Sequence, residues 1–134
     1  MAYVARQVDP LIAELLQQLP ALMIVGPRAA GKSTTAERHC RSVVRLDKES
    51  DAGAFHTDPD LALLGLTEPI LIDEWQVVPD VLGAVKRAVD QDSRPGRFVL
   101  TGSVRTDIDS PTWPGTGRVV RIDMRPLTIG ERLS

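Results

Sequence analysis

The chain has 134 residues, a formal net charge of −2 and a single cysteine, so it suits one domain and cannot form an intramolecular disulfide. The acidic residues are concentrated between positions 47 and 80 and the flanking segments are basic, a pattern that matches no nucleic-acid footprint. No apolar run reaches the roughly 18 residues that a membrane span needs, and no signal-peptide pattern opens the chain, so we expect a soluble, cytoplasmic protein.

Helical spacing and strand-like apolar runs alternate along the chain. Leucines and an isoleucine recur at helical spacing after Asp9-Pro10 and are followed by Pro20, which predicts a helix from about residue 9 to residue 19. Further helices are expected from Lys32 to about Arg41, as one short segment within 48–68, and from Asp80 to before Pro95. Five apolar runs predict strands over 22–25, 43–47, 69–74, 97–100 and 118–124. This order favours an α/β fold with a mostly parallel five-stranded sheet and helices on both faces.

A phosphate-binding pattern follows the first predicted strand. Residues 26–34 fit G-x-x-x-x-G-K-[ST] at every fixed position. The glycines let successive backbone N–H groups face a polyphosphate, and the next helix adds its N-terminal dipole. The predicted nucleotide-binding residues are Gly26, Pro27, Arg28, Ala29, Ala30, Gly31, Lys32, Ser33 and Thr34. Within this set, Lys32 would reach the β- and γ-phosphates as a catalytic residue, and Ser33 would ligate Mg²⁺.

Two adjacent carboxylates, Asp73 and Glu74, end the third predicted strand. Acids also end strands as solvated residues, so the pair is informative only together with the phosphate-binding pattern. Lys32 and Asp73 are 41 positions apart, enough for a helix, a strand and a crossover that place both motifs at the carboxyl ends of neighbouring parallel strands. We therefore interpret the two as a Walker B pair, in which Asp73 serves Mg²⁺ and Glu74 is the catalytic residue that polarises water.

With these motifs in place, the chain resembles a prokaryotic family of AAA-type P-loop ATPases. The segments that carry the resemblance are Ile24 to Arg28, Ile72 to Glu74 with Gln76, Pro79 and Lys86, then Arg97 to Ser103 and Arg125 to Glu131. The resemblance implies a polar sensor at the end of the fourth strand, Ser103 in preference to Thr101. It also implies that Arg118 is a catalytic arginine finger or a nucleotide-sensing residue. A simple turn for the two hydroxyl residues and a surface position for Arg118 remain open, and we interpret Trp75 and Trp113 as packing residues.

The resemblance further implies that residues 1–134 form a single ATPase core without the helical lid that family members carry after it. Its ligands would be ATP and Mg²⁺, homo-oligomerisation is compatible with it, and any protein or nucleic-acid partner stays unknown. We hypothesise Mg²⁺-dependent ATP binding with slow hydrolysis. One alternative is a nucleotide-binding or interaction module without useful turnover. Another is a small-molecule kinase, which the adjacent Asp-Glu pair disfavours because a kinase does not activate water.

Overall fold

A computed structural model describes residues 8–26, 32–102 and 119–123. The helices in these ranges are α1 (Val8–Leu16), α2 (Lys32–Glu37), α3 (Glu49–Thr57), α4 (Pro59–Leu64) and α5 (Asp80–Gln91). The strands are β1 (Ala21–Val25), β2 (Ser42–Arg45), β3 (Ile70–Asp73), β4 (Phe98–Gly102) and β5 (Val119–Asp123). A 3₁₀ turn, Trp75–Val77, follows β3.

The strands form one parallel sheet in the order β2-β3-β4-β1-β5, which confirms the predicted α/β class and the five-stranded sheet. Every residue of β1, β3 and β4 is buried, because parallel strands inside such a sheet are covered on both faces. Their continuous apolar sequences follow from this. Each fully buried leucine or isoleucine contributes roughly 2 kcal/mol to folding.

Helices cover both faces of the sheet. On one face, α3, α4 and α5 bury Phe55, Leu63 and Val85 in the larger apolar cluster. On the other face, α1 and α2 contribute Ile12 and Ala36 to a second cluster that includes alternate residues of β1, β3 and β4. Within the described ranges, no helix has both the length and the apolar character that crossing a bilayer requires.

Two predicted helices end earlier than their sequence patterns indicate. The N-terminal helix stops at Leu16 rather than at residue 19, and three further residues continue as turns with their amides bonded to carbonyls three or four residues back. Helix α2 stops at Glu37 rather than at Arg41, so Cys40 lies after the helix. The amide of Arg41 already donates to Pro69 O, 2.8 Å away, because the chain has turned to enter the sheet beside β3.

Between β2 and β3 the expectation of one short helix was wrong, because α3 and α4 form in succession. Asp58 separates them with an extended backbone, and its side chain accepts a hydrogen bond from Leu61 N at 3.2 Å while Pro59 opens α4. An aspartate before a proline is a strong signal for the start of a helix. That local pattern outweighs the low overall helical propensity of the acidic segment.

Strand boundaries shift by one or two residues. Strand β2 begins one residue before its predicted range, at Ser42, and ends two residues early, at Arg45, whereas β5 lies within its predicted range. Strand β4 continues past Leu100 to Gly102, because its last two residues pair with Ile24 and Val25 of β1. Thr101 therefore belongs to the sheet rather than to a turn after it.

Candidate functional site

The carboxyl ends of three neighbouring strands bring polar side chains into one row. Arg45 of β2 is in register with Asp73 of β3, and Asp73 is in register with Thr101 of β4. Residues in register on parallel strands project from the same face of the sheet, and this face is the one that α2 covers. The row therefore lies beneath the helix that follows the phosphate-binding pattern.

Asp73 is the centre of this row and is only 5% exposed. Its Oδ1 accepts hydrogen bonds from Ser33 Oγ at 2.6 Å and from Thr101 Oγ1 at 2.5 Å. Its Oδ2 lies 3.6 Å from Arg45 Nη1. A buried carboxylate is unfavourable unless hydrogen bonds and opposite charge compensate for the lost water, and these three side chains provide that compensation.

Arg45 also binds Glu37 at the end of α2, with 2.8 Å between Nη2 and Oε1. This hydrogen bond raises the pKa of Arg45 above its ordinary value, and the charge of Asp73 adds to the effect. The guanidinium therefore stays cationic beside Asp73. The negative charge of Asp73 is thus compensated by contacts from three elements, α2, β2 and β4.

The donor set around Asp73 suits a hard divalent cation. Carboxylate and hydroxyl oxygens are the protein ligands that Mg²⁺ prefers, and Ser33 and Asp73 lie within hydrogen-bonding distance of each other. The structure thus brings together the two residues predicted to serve the metal, and their binding of Mg²⁺ stays a prediction.

Glu74 turns the chain out of β3 with a left-handed backbone, φ 60° and ψ 55°. Such a conformation is unfavourable for a residue other than glycine by about 1 kcal/mol, and it persists where the surroundings fix it. Two contacts contribute here: Glu74 N donates to Thr101 Oγ1 at 3.3 Å, and Gln76 Nε2 donates to Glu74 Oε2 at 2.5 Å. The backbone of Glu74 is thereby held at Thr101 and its carboxylate at Gln76, and the residue is 5% exposed.

On the opposite face of β4, Gly102 allows the 3₁₀ turn to approach the strand closely. A Cβ at Gly102 would lie 2.6 Å from Trp75 Nε1 and 3.3 Å from Gln76 Oε1. Gly102 O accepts a hydrogen bond from Gly26 N at 3.2 Å, which ties the start of the phosphate-binding segment to the end of β4. Trp75 is buried in the larger apolar cluster and so has the predicted packing role.

Among the predicted nucleotide-binding residues, Gly26 is buried at the end of β1, Lys32 opens α2, Ser33 contacts Asp73, and Thr34 is exposed. The remaining predicted site residues lie outside the described residues: Pro27, Arg28, Ala29, Ala30, Gly31, Ser103 and Arg118.

Sequence reasoning missed Arg45 altogether and assigned no role to Gln76 or Gly102. The signal for Arg45 was its place at the end of the second apolar run, where a parallel sheet brings a residue beside the Walker B pair. Gln76 and Gly102 lay within segments that carried the family resemblance. Their contact with each other depends on the turn after β3, which the sequence pattern does not specify.

A cavity of about 620 Å³ lies elsewhere, between α4, α5 and the amino end of β4. The arginines that line it are already paired: Arg87 binds Asp60 at 2.6 Å, and Glu68 binds Arg94 and Arg97 at 2.7 and 2.8 Å. These ion pairs neutralise the charges that a phosphate would need. The cavity is therefore not the predicted nucleotide site.

Comparison with known proteins gives a family match over most of the chain. A family model described as an AAA domain matches residues 18–133. Two uncharacterized proteins, one from Mycobacterium bovis and one from Mycobacterium tuberculosis, are each 34% identical to this chain over 120 residues. The aligned region is 87% of this chain but only 27% of each relative.

Proposed function

This chain belongs to the AAA domain family, and on that premise we propose that it binds ATP with Mg²⁺ and hydrolyses it slowly. The observation that carries the proposal is that Ser33 and Thr101 both donate hydrogen bonds to Asp73, with Glu74 next in the chain, at the carboxyl ends of the strands beside the phosphate-binding segment. Two buried acids at the carboxyl ends of the strands are placed to hold Mg²⁺ and to activate water, whereas two solvated acids at a strand end would have no such role.

Each residue of the proposed site has a distinct role. Ser33 and Asp73 would hold Mg²⁺, which when bound offsets charge on the phosphate oxygens. Lys32 would contact the β- and γ-phosphates. Glu74 would orient a water molecule towards the γ-phosphorus and accept its proton, in line with the departing ADP oxygen.

Two further roles rest on the family resemblance. The resemblance favours Ser103 as the polar sensor, and Thr101, which bonds to Asp73 and to the amide of Glu74, is the other candidate for that role. Arg118 would supply positive charge to the transferred phosphoryl group, from the same chain or from a second copy. Contribution from a second copy would make specific activity rise with protein concentration.

The decisive experiment is Mg²⁺-dependent phosphate release from ATP over a protein concentration series. We expect Glu74→Gln to retain ATP binding and to lower turnover by at least about 100-fold, the usual contribution of a general base. Glu14→Gln, the same chemical change on an exposed position of α1, is the matched control and should behave like the unmodified chain. Undiminished turnover in Glu74→Gln would refute the assignment of Glu74.

Binding is tested separately by calorimetric titration with a non-hydrolysable ATP analogue. Lys32→Ala should abolish detectable binding, whereas Lys86→Ala, on the half-exposed face of α5, should leave it unchanged. Unchanged affinity in Lys32→Ala would contradict the phosphate-binding assignment. Binding without turnover in the unmodified chain would instead favour the nucleotide-binding module without hydrolysis.

A further inference from the structure

We infer that Gln76 is a positioning residue that holds the Glu74 carboxylate in the orientation required for water activation. The inference rests on the proposed hydrolysis and extends it to a residue outside the phosphate-binding and Walker B patterns. Its basis is the short hydrogen bond from Gln76 Nε2 to Glu74 Oε2, 2.5 Å long, between two side chains only two positions apart.

The chemistry of the amide suits this role. A neutral amide N–H donates to the Glu74 carboxylate and cannot itself take up the proton that Glu74 would accept from water. A lysine or histidine at the same place could compete for that proton. The reversed amide would place its oxygen against the carboxylate, which is repulsive. The carboxylate therefore determines the direction of the Gln76 amide, and the amide in turn fixes the carboxylate.

The other end of the amide supports the same conclusion. Gln76 Oε1 is buried, and no donor reaches it from the part of the chain that the structure describes. Trp75 Nε1 is also buried and has no acceptor among the same residues. A buried polar atom without a partner is unfavourable, so an apolar side chain would serve packing better at this position. The bond to Glu74 is the contact that a glutamine provides and an apolar residue does not.

The position of the amide is itself fixed by β4. Gly102 has no side chain, and a Cβ there would lie 2.6 Å from Trp75 Nε1 and 3.3 Å from Gln76 Oε1, so the turn packs directly on the strand. Gly102 also accepts the hydrogen bond from Gly26 N at 3.2 Å. The carboxylate of Glu74 is thereby connected through Gln76 and Gly102 to the first residue of the phosphate-binding segment.

The main test is Gln76→Met, which keeps the length of the side chain and removes the donor. We expect kcat to fall by about 10- to 100-fold, because a small misplacement of a catalytic group has effects of that size, while KM for ATP changes by less than about twofold. Gln18→Met, the same change at an exposed position, is the matched control. Gly102→Ala should lower kcat in the same way by displacing Trp75 and Gln76.

The outcomes separate this inference from the proposed function. If the unmodified chain hydrolyses ATP and Gln76→Met has the same or a higher kcat, the inference fails and hydrolysis stands. If the unmodified chain shows no turnover, hydrolysis fails, and a double-variant cycle in urea with Glu74→Met and Gln76→Met still tests the contact. If the change in the unfolding constant of the double variant differs by at least about threefold from the product of the two single changes, the contact between Glu74 and Gln76 is supported. If the double change equals that product, the contact is overturned, and the inference with it.

Discussion

Polar and charged side chains form contacts at both ends of the sheet, but those at the carboxyl end are buried and most of those at the amino end are exposed. At the carboxyl end, Asp73 of β3 and Thr101 of β4 are buried beneath α2, and the Thr101 hydroxyl donates a hydrogen bond to Asp73. At the amino end, Arg94 and Glu68 also pair at 2.7 Å, but the Arg94 side chain is 57% exposed. Exposed pairs contribute little because water and salt screen them, whereas a buried charged group is unfavourable unless hydrogen bonds or opposite charge compensate for the lost water. Burial, rather than charge, distinguishes the candidate site from the surface network.

Arg97 is the exception at the amino end, since its side chain is 13% exposed. It donates to Ala88 O and Asp92 O at 2.7 and 2.8 Å, which satisfies carbonyls at the end of α5, and to Glu68 at 2.8 Å. Its guanidinium also lies 5.0 Å from the centre of the Phe98 ring. These contacts fasten α5 to the start of β4, so we expect Arg97 to act on stability alone.

The largest difference between the two ends should appear with Asp73→Asn. This change keeps the shape of the side chain and removes the negative charge, so Mg²⁺-dependent turnover should fall by at least about 100-fold. The free energy of unfolding should change little, because the asparagine oxygen can still accept from Ser33 and Thr101, and Arg45 keeps its closer ion pair with Glu37. Phosphate-release kinetics and urea unfolding measure the two quantities. A large loss of stability with unchanged kcat would mean that the carboxylate is structural.

At the amino end, Arg97→Met should give the reverse result. The carbonyl of Asp92 loses the Arg97 donor and that of Ala88 keeps only the amide of Asp92, while Glu68 loses an ion-pair partner, so the free energy of unfolding should fall by about 2 kcal/mol. Turnover per folded molecule should stay unchanged, because Arg97 lies at the opposite end of the sheet from Asp73. Urea unfolding with phosphate release at a temperature where the variant is folded tests both points. A fall in kcat would show that the two ends are coupled.

The five strands, and the meeting of Ser33 with Asp73 at their carboxyl ends, could be predicted because apolar runs and the phosphate-binding pattern are local signals. The contacts of Thr101 and Arg45 could not, because they depend on strand register across the sheet. Register follows from packing of the whole sheet, and the single sequence shows only where each strand lies approximately. Asp58-Pro59 was a local signal that sequence reasoning overlooked.

Two buried threonines provide a finer comparison within the carboxyl end. Thr101 Oγ1 donates to Asp73 and accepts from Glu74 N, whereas Thr35 Oγ1 is buried with no partner among the residues the structure describes. Thr101→Val should therefore lower the free energy of unfolding by about 1–2 kcal/mol and reduce turnover. Thr35→Val should be neutral or stabilising, because it removes an uncompensated hydroxyl. Equal effects of the two changes in urea unfolding would contradict the assigned hydrogen bonds.

The smallest expected effect concerns Cys40, a half-buried thiol just before β2. Burial, with a further contribution from Glu37, raises the pKa of Cys40 from 9.0 to about 12. Between these values the unfolded chain loses the proton and the folded chain keeps it, so stability is complete below about pH 9 and declines as pH rises. Relative to Cys40→Ser, the free energy of unfolding should fall by about 1 kcal/mol between roughly pH 8 and pH 10. Urea unfolding of both chains across this range measures the difference, in which all other titrating groups cancel. Parallel pH profiles would show that the thiol is as accessible to water in the folded chain as in the unfolded one, and would refute the effect of burial on its pKa.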